Sequence, residues 1–194
     1  YNSTSGTFKS IVAGAAWSQG VPLSTGRIVA DAFGTQTAAV YTTGQLPPGS
    51  ATAVTEEYNG TGWTTVTAYP TAKTSGGAAG TLTAGLVAGG SAPPFTTTAN
   101  EYDGTSWTGT GALPTAADNI GSCGTGTQTN VIMSIGRTPA SGNAGTNTSV
   151  TYNGSVFAGG PTLNTARMYG QVHGGTGTAG LIFGGFIDPS PNAM

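Results

Sequence analysis

Charged side chains are scarce: the 194 residues include five Lys or Arg and seven Asp or Glu, only 6% of the chain, for a formal net charge of −2. An ordinary globular domain carries about a quarter. So thin a charge excludes a basic track for nucleic acid and a polybasic patch for a membrane surface. Cysteine is nearly absent too. Cys123 alone rules out an internal disulfide framework and a multi-cysteine metal site. A single histidine, His173, leaves a catalytic base or metal ligand without a second imidazole. No apolar run approaches the ~20 residues of a membrane-spanning helix, and Tyr1-Asn2-Ser3-Thr4 does not read as a secretory leader. The chain reads as a mature or partial product of something longer.

What is abundant is glycine, 34 residues, together with Thr, Ser and Asn. That composition fits either a disordered linker or a β-protein of short strands and tight turns. An internal repeat decides for the second. Glu101-Tyr102-Asp103-Gly104-Thr105-Ser106-Trp107 reads as a hairpin, with an Asp-Gly turn between a β-forming run and an aromatic residue. Tyr58-Asn59-Gly60-Thr61-Gly62-Trp63 and Tyr152-Asn153-Gly154-Ser155-Val156-Phe157 repeat it, and Val12 to Trp17 is a degenerate copy. The aromatic markers at 17, 63, 107 and 157 are 46, 44 and 50 residues apart. A period of that size marks a bladed or solenoid architecture.

Other features keep the same step. Six residues after each marker come Leu23-Ser24-Thr25-Gly26-Arg27, Tyr69-Pro70-Thr71-Ala72-Lys73, Leu113-Pro114-Thr115-Ala116-Ala117 and Leu163-Asn164-Thr165-Ala166-Arg167. Gly-Thr pairs follow at Gly34, Gly80, Gly126 and Gly175, each with a second glycine ten residues on. Between those glycines lie short apolar strands, whose centres Val40, Val87, Ile132 and Ile182 are expected to be buried alike. Pro-, Gly- and Ser-rich stretches of unequal length then lead to the next hairpin and suit exposed loops on one rim.

The order Val87-Ala88-Gly89-Gly90, Glu101-Tyr102-Asp103, Trp107, Leu113-Pro114-Thr115 resembles the kelch repeat. The Gly-Thr-Gln-Thr-Ala and Glu-Glu-Tyr-Asn/Asp-Gly-Thr-x-Trp runs resemble the Thr/Gly-rich kelch-like repeats of tailed, often marine, bacteriophage virions. The resemblance spans residues about 7–187. Gly-Gly is complete only at 89–90 and 184–185 of that pattern, and Phe157 stands for the tryptophan. It implies an all-β fold, a kelch-like β-propeller of about four four-stranded blades in a single domain over 1–194. The repeats run about 27–68, 73–112 and 117–161, with the last, 167–187, completed by N-terminal strands from 7–21. Membership of a larger propeller, or mutual completion between copies, stays open.

Implied with it is a non-enzymatic structural or adhesion module of a virion: a tail-fibre, tail-associated or capsid-decoration protein. It would be present in many copies on the virion surface or outside the cell, beside other virion proteins. A host surface glycan or receptor is the expected contact, and neither membrane insertion nor a nucleic-acid partner is expected. The alternative is a secreted, lectin-like carbohydrate-binding propeller. No cofactor, metal or catalytic residue is expected. Kelch-type copper oxidases need several histidines and a Cys–Tyr cross-link, which one His and one Cys cannot supply.

For individual residues the readings are these. His173 and Cys123 are structural, Cys123 as a small buried filler. Glu56, Glu57, Glu101 and Asp103 pair with the recurring cations Arg27, Lys73 and Arg167. Trp17, Trp63 and Trp107 either pack between sheets or serve as sugar platforms. Four sequons occur, at Asn2, Asn59, Asn147 and Asn153, and those at Asn59 and Asn153 coincide with hairpin turns that demand Asn-Gly for backbone reasons alone.

Overall fold

In the computed structural model, the residues described are 20–121, 127–176 and 178–187. They form antiparallel β-structure, and no helix occurs among them. The first sheet takes β1 (Asp31–Thr35), β2 (Ala38–Thr42), β5 (Thr55–Tyr58) and β6 (Trp63–Val66), in that order. Between β2 and β5 sits a small hairpin of β3 (Gln45–Leu46) and β4 (Ser50–Ala51), where the sequence reads only as loop. The second sheet takes β7 (Gly77–Thr81), β8 (Ala84–Ala88), β9 (Ala99–Tyr102) and β10 (Trp107–Gly109). The third takes β11 (Val131–Ser134), β12 (Ser149–Tyr152) and β13 (Phe157–Gly159). The fourth is a pair, β14 (Met168–Thr176) and β15 (Ala179–Phe186). These sheets fall within the expected repeat limits.

The repeat is visible in register. Thr35 pairs with Ala38, Thr81 with Ala84, Thr127 with Asn130 and Thr176 with Ala179, so all four units turn through the same two-residue hairpin. Gly34 and Gly80, one step back, adopt φ of 114° and 122°, a backbone state open to glycine and strained for other residues. The Gly-Thr motif is therefore a turn signal. Beyond the strand, Tyr58 pairs with Trp63, Tyr102 with Trp107 and Tyr152 with Phe157. The intervening turns are closed by one side chain each. Asn59, Asp103 and Asn153 accept, through Oδ1, the N–H groups two and three residues on. This local bond explains the Asn-Gly and Asp-Gly pairs without any glycan.

The sheets stack through apolar faces, and the second sheet has one on each side. Phe33 and Val40 of the first sheet meet Ala78, Val87 and Tyr102 of the second, with Trp107 packed at the margin. Ala79, Leu86, Ala88 and Ala99 on the other face meet Val131, Met133, Val150 and Tyr152 of the third. Gly85 has no Cβ because the ring of Phe33 lies over it. Register corrects one expectation. Gly34–Ala39, Gly80–Gly85 and Gly175–Gly180 pairings make Val40, Leu86, Ile132 and Leu181 the equivalent set. Val87 and Ile182 sit one residue later and face the opposite way, since strand side chains alternate. Val40, Val87 and Ile132 are buried, but Ile182 is half-buried and Leu181 is 64% exposed. Among the described residues, the fourth sheet has its inward neighbour and no outward cover.

Two further points concern the ends. Of the N-terminal strands expected at 7–21, residues 7–19 lie outside the described residues, and Gly20 and Val21 belong to no strand. Residues 122–126, Cys123 among them, also lie outside the described residues; Gly121 N–H donates to Ser134 O at 3.0 Å.

Candidate functional site

The residues singled out by chemistry converge on the junctions between sheets. Trp107 stacks against Tyr102 at 4.6 Å and meets Tyr69 edge-on at 4.9 Å and Phe33 at 6.3 Å. Its indole Nε1–H donates to Thr67 O at 3.2 Å. This tryptophan is packing between the first two sheets, and its one polar atom is spent on the backbone. Trp63 lies 5.0 Å from Tyr58 and 6.3 Å from Tyr41, on the first sheet's other face, and is half-buried. Phe157 repeats the stack on Tyr152 at 4.5 Å, so it replaces tryptophan without altering the arrangement. Trp17 lies outside the described residues.

A polar clamp accompanies each stack. Tyr102 Oη–H donates to Glu57 Oε1 at 2.7 Å, reaching from the second sheet to the first. Tyr152 Oη–H donates to Glu101 Oε1 at 2.8 Å, from the third to the second. Burial, partly offset at Tyr152 by the Thr110 hydroxyl and reinforced by the adjoining carboxylate, pushes the Tyr152 phenol up to about 12, and burial with the Glu57 carboxylate holds the Tyr102 phenol well above its ordinary range. Both therefore remain donors at any physiological pH. Tyr58, the equivalent in the first unit, turns back to its own Gly60 O at 2.9 Å.

The expected cation pairing needs correction. Arg27 does pair with Glu56, Nη1 to Oε2 at 2.5 Å, with both side chains inaccessible. Lys73, however, faces Asp31 at 3.6 Å, and Asp118 binds Arg137 at 2.6 Å. Glu57 and Glu101 serve the tyrosines, and Asp103 serves its own turn. Arg167 donates Nη1–H to Gly184 O at 2.5 Å. Asp31, Asp118 and Arg137 were missed because they occupy non-equivalent positions in their repeats, so no periodicity marks them. Arg137 also lies over the rings of Phe95, at 5.3 Å, and Tyr169, at 5.7 Å, joining three units at one rim.

Surface concavities are shallow. Gly26, Arg27, Ile28 and Gln45 to Gly49 line a mostly apolar cleft of about 410 Å³ at the rim of the first unit. Another, about 350 Å³, is edged by Thr115, Thr138, Thr146 and Thr148. Neither gathers acid, base and nucleophile. Among the described residues no three His, Cys, Asp or Glu side chains group as metal ligands. His173 is placed by backbone in β14, opposite Ile182, and its side chain is outside the description.

Comparison with known proteins adds little to this geometry. No protein-family model matches the chain, and no curated protein matches it. A solved structure described as "Structure of YjhT" aligns at 16% identity and a TM-score of 0.45, over 49% of this chain and 35% of that one. The aligned part thus spans about a third of that protein's length.

The Arg27–Glu56 pair makes a pH prediction. Burial of Glu56 opposes ionisation, but hydrogen bonds from Arg27 and Ser24 outweigh it, so the carboxyl titrates below its ordinary 4.5. A lowered carboxylate pKa contributes stability that is fully present above about 4.5 and is lost as pH falls through the folded value. Denaturant midpoints measured from pH 7 to pH 2 should fall below pH 4.5, and Glu56→Gln should start lower and show a shallower acid limb.

Proposed function

We propose that the chain is a non-enzymatic structural and adhesion module, a kelch-like propeller carried on a tailed-phage virion. The observation that carries this reading is the recurrence, at steps near 46 residues, of one hairpin register and one Tyr-to-Glu clamp. Repeated sheets that each cover the next are the ground plan of a propeller. The ionic groups of the first three units are consumed in holding that plan, which leaves a surface of neutral hydroxyl, amide and glycine groups on loops of unequal length. Such a surface suits display and contact in many copies. Resemblance of the Thr/Gly-rich repeats to virion proteins supplies the setting.

Four blades are the natural count, the fourth begun by β14 and β15 and finished by residues 7–21. Two facts support closure. Leu181 and Phe183 are exposed where their equivalents Val40 and Thr42 are wholly buried, so this sheet wants a cover. Residues 23–27 lie against the first sheet, with Ser24 N–H donating to Glu56 Oε1 at 2.7 Å, so the segment before them starts beside the open side of that sheet. Strand addition there removes an exposed sheet edge. Deleting residues 1–21 should therefore give an aggregating product with a lowered melting temperature; a stable monomer after the deletion would rule out the ring, as read by light scattering and thermal melts.

The setting has its own test. Antibody raised to the purified chain should label tails or capsids in electron micrographs, and the purified chain should slow host adsorption in a dose-dependent way. Absence from particles, combined with binding on a glycan array, would favour the secreted lectin-like reading instead. The rim clefts bear on that second reading, since their residues differ between units and offer no repeated sugar platform.

A further inference from the structure

Where the first and second sheets meet, Lys73 and Asp31 form an arrangement unlike the other ionic pairs. Both side chains are essentially inaccessible, at 1% and 2% exposure, yet Nζ and Oδ2 stand 3.6 Å apart, too far for a normal hydrogen bond. Lys73 Nζ is instead anchored by donating to Gly89 O at 2.5 Å, and it lies 4.8 Å above the centroid of the Tyr69 ring. Asp31 is held from two other directions, by the Thr43 hydroxyl at 3.0 Å and by the Gly76 N–H. Gly76 is glycine for a local reason. A Cβ there would come within 2.7 Å of Oδ2 and 2.8 Å of Nζ, so the two groups press on the same backbone atom. The Tyr69 hydroxyl, also buried, has no hydrogen-bond partner. The surroundings are buried and tightly bounded.

We propose that Lys73 and Asp31 join in an intramolecular amide cross-link between the first two sheets. Burial opposes ionisation of both groups, raising the Asp31 carboxyl and lowering the Lys73 ammonium, while each partner's charge pulls the other way; the reaction draws on the form in which one proton has passed from Nζ to the carboxyl, leaving an amine beside an acid. The Nζ lone pair adds to Cγ, with the Thr43 and Gly76 donors drawing charge onto the carboxyl oxygens as an oxyanion site does. One Nζ proton passes to the departing hydroxyl, the Cγ–O bond breaks and water leaves. The product is a secondary amide, no oxidation state changes, and no co-reactant is required. Fixed proximity at a buried site favours a condensation that bulk water would otherwise reverse. The equivalent positions at the second and third sheets are Gly77 and Ala117, so that junction has no such pair.

Mass spectrometry of the purified, folded full-length chain tests this. After denaturation the intact mass should fall below the sequence mass by one water, and digestion should yield a branched peptide joining Lys73 to Asp31. Lys73→Arg keeps a cation but cannot form this link, so it should restore the full mass. Full sequence mass in folded wild-type protein would overturn the proposal. So would a water loss that fragmentation places elsewhere, such as cyclisation at Asp103-Gly104.

Discussion

The constraint on which everything else rests is that neighbouring sheets cover one another's apolar faces. Strands such as Val131–Ser134 are buried along their whole length, which a two-layer sandwich with one wet face does not require. At about 25 cal/mol per Å² of apolar area removed from water, the contacts between neighbouring sheets outweigh what any one hairpin gains alone. An isolated hairpin is marginal in water. Each of the first three sheets is therefore stable because a neighbour lies against it, whereas among the described residues nothing covers Leu181 and Phe183 of the fourth.

Few charges then go a long way. Desolvating an ion pair is expensive, and breaking one by removing a partner is worse than having none. Arg27–Glu56 is accordingly better regarded as a device for register than as a source of net stability: it is satisfied only when its segments sit in the correct place. The Tyr-to-Glu bonds act the same way between sheets. Trp107 combines both functions, burying its ring between sheets while its N–H fixes the connecting backbone at Thr67.

Much of this was legible in the sequence. The Tyr–Asn/Asp–Gly hairpins depend on local chemistry, and local chemistry repeats with the chain. The expected burial is found at Val40, Val87 and Ile132 and not at Ile182, and the equivalence of Val87 with Val40 is off by one position because both faces of the second sheet are apolar and alternation gives no contrast to read. Partner choice was also illegible. Glu57 and Glu101 recur in step with Arg27 and Lys73, yet their partners are tyrosines on the adjacent sheet, and only the stacking of sheets brings those together. The positive φ at Val29, Ser75, Asn119 and Tyr169, from 48° to 59°, repeats at the marker spacing without a shared residue type. Backbone geometry there is conserved by position in the fold, whatever side chain occupies it.

That sheets are fastened to their neighbours by the tyrosine clamp is most directly tested by a double-mutant cycle. Tyr152→Phe, Glu101→Gln and the double variant would be compared with the parent in denaturant unfolding. A hydrogen bond to a charged group contributes about 1.5–3 kcal/mol, so the two substitutions should couple by about 1 kcal/mol or more, each single change costing nearly as much as both. Strictly additive losses would mean that Tyr152 and Glu101 act independently and would contradict a clamp between the second and third sheets.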